Sequence, residues 1–265
     1  MGAMKIAAFD FDGTLHHSTD TDTGEHGFDP ADMAAIQAWR DADHIAISAT
    51  GRSRTALEFG MRHCPIRFDY QVLSNGGSAT TGDNERLLYS HLVDPEIVEQ
   101  VVTHFADTDG VAVFGTTIGH VDGEFSNNTQ ARSSFTVNFD RMTTADIPHH
   151  EFAVVPLWIP GNEALRAEVY EWTRALPHVS VAQNQDFIDI MAPGRTKGAG
   201  IQDLLQLLDV PREDIELYTF GDSWNDLSMH EIADHSHSFH HSPAEVQQRT
   251  DHVINRVADV LPSYI

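Results

Sequence analysis

The chain has 265 residues and a formal net charge of −24 at pH 7, from 40 acidic and 16 basic side chains. Hydrophobic residues make up 41% of the sequence and aromatic residues 9%, which is typical of one or two folded domains and excludes a disordered chain. The acidic surface repels phosphate backbones and anionic lipids, so we expect neither a nucleic acid nor a membrane as partner.

The first predicted elements are buried strands that each end in a polar turn. The apolar run 6–9 predicts a strand buried on both faces, and Asp10 and Asp12 follow it. A loop over 16–28 leads to a capped amphipathic helix that begins at Asp29. Further strands are predicted over 44–49 and 70–74, and they end at Thr50 and Asn75. In parallel sheets of this kind, ligands bind where the strands end.

From about residue 82 to 192 the pattern changes to short alternating strands mixed with helices, which indicates an α+β layer. The sequence predicts strands over 111–114, 134–139 and 152–159, a helix over 162–176, and a hairpin formed by 179–182 and 187–190. The alternation of strands and helices then returns, with a helix opened by Lys197, a strand over 216–220, a helix over 225–233, a weak strand near Phe239 and a helix over 243–249.

These elements predict an α/β fold, in which a Rossmann-like, doubly wound parallel-sheet core carries an inserted α+β domain. We expect the core to comprise residues 1–82 and 190–265, and the inserted domain residues 83–189. The single cysteine, Cys64, has no partner for an intramolecular disulfide, so we expect a reducing, cytoplasmic location. We expect a monomer or a weak homodimer.

Asp10 and Asp12 are the strongest candidates for chemistry. Residues i and i+2 of an extended segment point the same way, so both carboxylates can face one ligand, although Asp also caps turns. Complementary groups lie at other strand ends and helix starts, namely Thr50, Asn75, Lys197, Asp222 and Asp226. A hard cation such as Mg²⁺ prefers oxygen ligands and keeps several waters, and Asp10 and Asp222 can supply two carboxylates.

Four motifs in this order resemble those of the haloacid dehalogenase superfamily of phosphatases. They are Asp10-Phe11-Asp12-Gly13-Thr14-Leu15, Ser48-Ala49-Thr50-Gly51-Arg52, Lys197-Gly198, and Gly221-Asp222-Ser223-Trp224-Asn225-Asp226. The position of the inserted segment, between the second and third motifs, is similar to that in the Cof-type subfamily with an α/β (C2-type) cap. The resemblance covers nearly the whole chain.

The resemblance implies a role for each motif residue. Asp10 would be the nucleophile that forms an aspartyl-phosphate, and Asp12 the general acid and then base. Substrate or phosphate contacts would come from Thr50, Gly51, Arg52, Asn75, Lys197 and Asn225. Mg²⁺ would be held by Asp10, Asp12, Asp222 and Asp226. Several of these residues also have ordinary structural explanations, because Asn225 could cap its helix and Arg52 could pair with the acidic surface.

The implied reaction is the Mg²⁺-dependent hydrolysis of a small phosphorylated metabolite, such as a sugar phosphate or a phosphorylated cofactor. One alternative is phosphoryl transfer between positions on a sugar, as in the related phosphomannomutases. Another is a metabolite-binding or regulatory module without turnover, although both Asp10 and Asp12 are present. The histidine-rich run from His235 to His241 leaves open a zinc or nickel site.

Overall fold

The computed structural model describes residues 3–18, 26–131 and 139–265. The chain folds into two units, and each is assembled from separate segments. The first unit comprises Met1–Gly51, Glu58–Tyr89 and Thr196–Ile265, and the second comprises Arg52–Leu57 and Ser90–Arg195. Both main boundaries therefore lie several residues later than the expected 82/83 and 189/190, and a short segment after Gly51 joins the second unit.

Sixteen strands and seven α-helices make up the described chain. The strands are β1 (Met4–Phe9), β2 (His16–Ser18), β3 (His26–Phe28), β4 (Ile45–Ala49), β5 (Tyr70–Leu73), β6 (Ser78–Thr81), β7 (Leu87–Ser90), β8 (Ala112–Thr117), β9 (Gly123–Asn127), β10 (Asp140–Arg141), β11 (Phe152–Trp158), β12 (Ser180–Asn184), β13 (Phe187–Met191), β14 (Ile215–Phe220), β15 (His235–Phe239) and β16 (His252–Ile254). The helices are α1 (Pro30–Asp41), α2 (Arg54–Met61), α3 (Pro95–Phe105), α4 (Glu163–Arg174), α5 (Lys197–Leu207), α6 (Leu227–His230) and α7 (Ala244–Gln247). None of these helices combines the length and the apolar character that crossing a bilayer requires.

The first unit is built on an eight-stranded sheet in the order β16-β15-β14-β1-β4-β5-β6-β7. The strands from β16 to β5 run parallel, and β6 returns antiparallel to β5. Alternate residues of β1 face opposite sides. Ala7 and Phe9 pack with Trp39 of α1 on one face, and Ile6 packs with Leu204 of α5 on the other. Helices thus cover both faces, and the expected doubly wound parallel core is confirmed.

The second unit has a six-stranded, mostly antiparallel sheet in the order β10-β9-β8-β11-β13-β12. Helices α3 and α4 pack on it, and their buried residues, among them Val101 and Val169, share one core with Val155 and Ile190 of the sheet. This α+β layer matches the architecture expected for the inserted segment.

Three predicted elements differ in the structure. The loop expected over 16–28 contains the antiparallel pair β2 and β3. The helix expected over 225–233 is a 3-10 turn, Trp224–Asp226, followed by the single turn of α6, and the helix expected over 243–249 shortens to α7. The predicted strand over 134–139 falls almost entirely outside the described residues.

Candidate active site

The carboxyl ends of neighbouring parallel strands carry the polar side chains of the candidate site. Asp10 follows β1, Thr50 follows β4, and Asp222 lies just beyond β14. Because β1 pairs in parallel with both β4 and β14, these turns meet at one edge of the sheet. The backbone N–H of Asp10 donates to the Phe220 carbonyl at 2.8 Å, which fixes the first turn against the last strand.

Lys197 brings the distant motifs together. It occupies the first turn of α5, whose N-cap Thr196 accepts a hydrogen bond from the Ala199 N–H at 3.1 Å. The Lys197 side chain is fully buried, and its Nζ lies 2.5 Å from Oδ1 of Asp10 and 2.6 Å from Oδ1 of Asp226. One ammonium group therefore lies between two carboxylates that are far apart in the sequence.

Burial and charge shift the ionisation of these groups in different directions. Burial raises the pKa of Asp10, repulsion by Asp226 adds to this effect, and Lys197 opposes it. Burial also raises the pKa of Asp222, again with a contribution from Asp226. Burial lowers the pKa of Lys197, but Asp10 and Asp226 together outweigh it, so the pKa of Lys197 is raised and the amine stays charged.

Asp226 holds Lys197 with a carboxylate whose oxygens both accept hydrogen bonds. Its Oδ1 accepts from Lys197, and its Oδ2 accepts from the backbone N–H of Ser223 at 2.8 Å. Ser223 and Asp226 form a capping box at the start of the 3-10 turn. The capping box therefore fixes the orientation of Asp226 locally. In this orientation Asp226 contacts Lys197, which is far from it in the sequence.

The carboxylates also form the grouping that could hold a metal ion. Among the described residues, one oxygen from each of Asp10, Asp222 and Asp226 lies within 4.8 Å of the others, and no histidine belongs to this group. A set of carboxylate oxygens suits a hard cation such as Mg²⁺. Burial, with repulsion by Asp226, raises the pKa values of Asp10 and Asp222, and a bound cation would favour their charged forms. The donor set therefore fits the expected Mg²⁺.

Gly13 allows the first turn to pass close to Asp222. Its φ is +86°, and a Cβ added there would lie 2.6 Å from Oδ2 of Asp222. The next residue, Thr14, is buried and donates from Oγ1 to Oδ1 of Asp222 at 3.4 Å. A glycine is required at this position for both its backbone conformation and its lack of a side chain.

We expect Gly13→Ala to destabilise the fold by roughly 1–3 kcal/mol and to abolish turnover, because it combines a strained φ with displacement of Asp222. Gly161→Ala is the matched control, since Gly161 has φ +67° and nothing within 4 Å of an added Cβ. Thermal unfolding and steady-state kinetics of both variants check this. Equal losses of activity in the two variants would contradict the role assigned to Gly13.

The structure also brings together Thr50, Gly51, Asn75 and Asn225. Asn75 is buried with φ 52°, and its backbone N–H donates to the Thr50 carbonyl at 3.0 Å. Nδ2 of Asn225 donates to Oδ1 of Asn75 at 3.1 Å. A Cβ on Gly51 would lie 3.3 Å from the same oxygen. Four of the predicted substrate-binding residues therefore form one connected polar group in the first unit.

Asp12 and Arg52 differ from the buried residues of the site in their surroundings. The side chain of Asp12 is 43% exposed, and its Oδ1 lies 3.6 Å from Nδ1 of His16. His16 is buried and stacks on Phe11 with ring centroids 4.9 Å apart. Arg52 belongs to the second unit, where Nη1 donates to the Ala56 carbonyl at 3.0 Å. The predicted substrate contact of Arg52 remains a prediction.

Two histidines that were not among the predicted site residues support the turn at Asp10–Thr14. Nε2 of His241 donates to the Gly13 carbonyl at 3.0 Å and lies 4.0 Å from Oδ2 of Asp222. Nε2 of His17 donates to the Thr14 carbonyl at 3.1 Å. The position of His241 could have been inferred, because it follows β15, which is parallel to β14 and ends at the same edge.

The histidines of β15 have structural rather than metal-binding surroundings. The ring of His235 stacks on Tyr218 with centroids 4.8 Å apart, and that of His237 stacks on Phe220 at 4.4 Å. His237 is fully buried, with Nδ1 3.1 Å from the Thr219 carbonyl and Nε2 2.9 Å from the Tyr264 hydroxyl. Because a carbonyl only accepts, Nδ1 carries the proton, and the neutral ring satisfies both contacts.

His237 should make stability depend on pH. Burial lowers its pKa from 6.5 to about 4, so between these values the unfolded chain binds more protons than the folded one. We therefore expect the free energy of unfolding to fall as the pH drops from 6.5 towards 4, with His237 contributing roughly 2–3 kcal/mol. Urea unfolding at pH 7 and 4.5 should show a smaller pH-dependent loss for His237→Gln. An identical loss in both proteins would contradict this.

The fold and the site together define the class of protein, which is an α/β enzyme with an acidic, lysine-containing centre at the carboxyl edge of a doubly wound sheet. The chain belongs to the haloacid dehalogenase-like hydrolases, because the model of that family matches residues 7–260. The resemblance stated from the motifs is confirmed, and so is the expectation of a hydrolase.

The chain is also similar to known phosphatases and to solved structures of hydrolases. The HMP-PP phosphatase of Cronobacter sakazakii is 23% identical over 233 residues, which cover 86% of this chain and 81% of that protein. A haloacid dehalogenase-like hydrolase from B. subtilis has a TM-score of 0.81 at 17% identity, with 99% and 100% of the two chains covered. A HAD subclass IIB sugar phosphatase has a TM-score of 0.79 at 18% identity, with 98% and 99% covered. These structural likenesses establish the fold.

Proposed function

We propose that the chain hydrolyses phosphate monoesters of small metabolites through a covalent intermediate on Asp10. The observation that carries this proposal is the buried Lys197 ammonium, which lies within 2.6 Å of both Asp10 and Asp226, beside Asp222. A cation in this position can neutralise a phosphoryl group while a neighbouring carboxylate attacks it. The phosphatase activities named for the relatives support the same substrate class.

The reaction would proceed in two balanced steps. In the first, an oxygen of Asp10 forms a bond to phosphorus, the ester P–O bond breaks, and Asp12 donates its proton to the leaving alcohol oxygen. In the second, Asp12 accepts a proton from water as the water oxygen attacks phosphorus, and the P–O bond to Asp10 breaks, which releases inorganic phosphate and restores the Asp10 carboxylate. One acid/base residue can thus serve both steps. The partial exposure of Asp12 suits exchange of the alcohol and water.

The remaining residues would bind and orient the phosphoryl group. Lys197 would offset the charge on its oxygens, and the connected group of Thr50, Asn75 and Asn225 would donate hydrogen bonds to it. Bound Mg²⁺ would supply further neutralisation of phosphate charge. We propose Asp10, Asp222 and the Asp12 backbone carbonyl as its protein ligands. Asp226, whose oxygens both already accept hydrogen bonds, would position Lys197 rather than bind the metal.

We propose the second unit as the cap that selects the substrate, which would be a sugar phosphate or a phosphorylated cofactor. The order of the segments supports this, because the unit is inserted between the motif at Thr50 and the motif at Lys197. A small metabolite, rather than a nucleic acid, also suits the net charge of −24. We further propose that the enzyme acts in the cytoplasm.

Removal of divalent cations should abolish turnover of an aryl phosphate, and added Mg²⁺ should restore it, because three carboxylates surround the one Lys197 ammonium and Mg²⁺ would supply further positive charge. The measurement is release of inorganic phosphate from p-nitrophenyl phosphate in excess chelator, before and after addition of MgCl₂. The Asp222→Asn variant should need a higher Mg²⁺ concentration. Full activity in excess chelator would show that turnover does not require a divalent cation.

A panel of phosphorylated metabolites tests the function as a whole. Hydrolysis of one or more members, with stoichiometric release of inorganic phosphate, is the expected result. If the protein instead transferred phosphate to a second position on a sugar, its activity would be that of a mutase and not that of a phosphatase. If the protein bound panel members but hydrolysed none of them, it would be a metabolite-binding module and not an enzyme.

A further inference from the structure

A buried carboxylate of the second unit holds the segment that directly follows Thr50 and Gly51. Asp122 lies in the turn between β8 and β9 and is 2% exposed. Its Oδ2 accepts from Oγ of Ser53 at 2.5 Å and from Oγ1 of Thr55, and its Oδ1 accepts from the Thr117 N–H at 2.8 Å. Ser53 and Thr55 are almost seventy residues away in sequence, so this is a long-range anchor.

The turn that carries Asp122 is itself held in place. The Asp122 carbonyl accepts a hydrogen bond from the Asp140 N–H at 2.8 Å, and Oγ1 of Thr117 donates to the Val121 carbonyl at 2.6 Å. Burial raises the pKa of Asp122, and the hydrogen bonds from Ser53, Thr55 and Thr117 oppose this. A buried carboxylate is costly unless such donors satisfy it, so the anchor depends on all three.

The anchored segment determines the geometry around Arg52. Oγ of Ser53 accepts from the Ala56 N–H at 3.2 Å, and the Ser53 carbonyl accepts from the Leu57 N–H at 2.9 Å, which starts α2. The guanidinium of Arg52 donates back to the Ala56 carbonyl at 3.0 Å. Loss of the Asp122 carboxylate would thus release Ser53, and with it the Ala56 carbonyl that holds the Arg52 guanidinium.

We propose that Asp122 is a positioning residue for phosphate binding, acting through the Ser53–Ala56 turn to hold Arg52 in its binding conformation. The proposal rests on the proposed function and on the contact between Arg52 and the phosphorylated substrate that the sequence motif predicts. Asp122 takes no part in the chemical steps, so its loss weakens binding and leaves the rate of the bound complex unchanged.

The test is a double-mutant cycle on the full chain with Asp122→Asn, Arg52→Ala and the double variant. Three quantities are measured with Mg²⁺ present: the Kd of inorganic phosphate by calorimetry, and kcat and KM for p-nitrophenyl phosphate by steady-state kinetics. We expect Asp122→Asn to raise Kd and KM about tenfold with kcat within about threefold. In the Arg52→Ala background, Asp122→Asn should raise neither Kd nor KM further.

Two more variants separate positioning from loss of stability. Val169→Ala removes methyl groups from the core of the second unit and should lower the thermal midpoint while leaving the Kd of phosphate unchanged. Thr55→Val removes one donor to Asp122 and should raise Kd by a smaller factor than Asp122→Asn. It carries the test if Asp122→Asn does not fold.

Three results would overturn the proposal: an unchanged Kd in Asp122→Asn and Thr55→Val, equal effects of Asp122→Asn with and without Arg52, or the same rise in Kd in Val169→Ala. The calorimetric measurement keeps the two proposals distinguishable. A wild-type protein that binds phosphate but turns over no ester would overturn the proposed function, and a cycle with the expected coupling in Kd would still support the role of Asp122.

Discussion

The Asp10→Asn variant is expected to lose at least about a thousandfold in kcat for any phosphate ester that the protein hydrolyses, because an amide oxygen cannot replace the attacking carboxylate. Its thermal midpoint should remain close to that of the wild type. The substitution nearly conserves shape, and Lys197 keeps its contact with Asp226 at 2.6 Å. Steady-state kinetics and thermal unfolding measure the two quantities.

Asp32→Asn is the matched control for this experiment. Asp32 is another buried aspartate of the first unit, at 1% exposure, and its Oδ1 accepts from the Ala258 N–H at 2.7 Å, outside the candidate site. This variant should keep full activity. A folded Asp10→Asn protein with wild-type turnover would show that Asp10 is not the nucleophile, and inactivity of both variants would assign the loss to the fold.

Lys197→Met is expected to lose both activity and stability. Removing the ammonium leaves Asp10 and Asp226 facing each other in a buried site, and breaking a buried ion pair in this way typically costs about 3–5 kcal/mol. Because neutralising one carboxylate relieves the repulsion, the double variant Lys197→Met, Asp226→Asn should recover part of the stability without recovering turnover. Chemical denaturation and phosphate release measure the two effects.

Lys5→Met is the comparison, since Lys5 is the chain's other lysine and its Nζ contacts the Tyr264 carbonyl rather than a carboxylate. It should cost less stability than Lys197→Met and leave kcat unchanged. If the double variant were no more stable than Lys197→Met alone, the buried carboxylates would not be the source of the destabilisation.

The parallel core could be predicted because its strands are continuous apolar runs. The run 6–9 falls within β1, and both faces of that strand are buried. The pair β2 and β3 was missed because most of its residues are polar and both strands have only three residues, so that only their pairing makes them strands. The expected helix at Asn225 shortens because the local capping box of Ser223 and Asp226 starts a 3-10 turn there.

The meeting of Asp10 and Asp222 followed from one rule about strand ends, and the place of Lys197, at a helix start, followed from the motif resemblance. The finer contacts did not follow from either. Neither the hydrogen bond from His241 to Gly13 nor that from Ser53 to Asp122 has a sequence pattern, because each joins residues that only the folded chain brings together. Residue types and spacing predict where chemistry can occur, whereas such supporting contacts depend on loop geometry.

The burial of Lys197 has a practical consequence for chemical labelling. The sequence contains two lysines, and the Lys197 ammonium is fully enclosed while Lys5 is partly accessible. An acylating reagent should therefore modify Lys5 readily in the native protein and reach Lys197 only when the surrounding structure opens. The rate of acylation at Lys197, followed by peptide mass analysis, would report how often the structure around the candidate site opens.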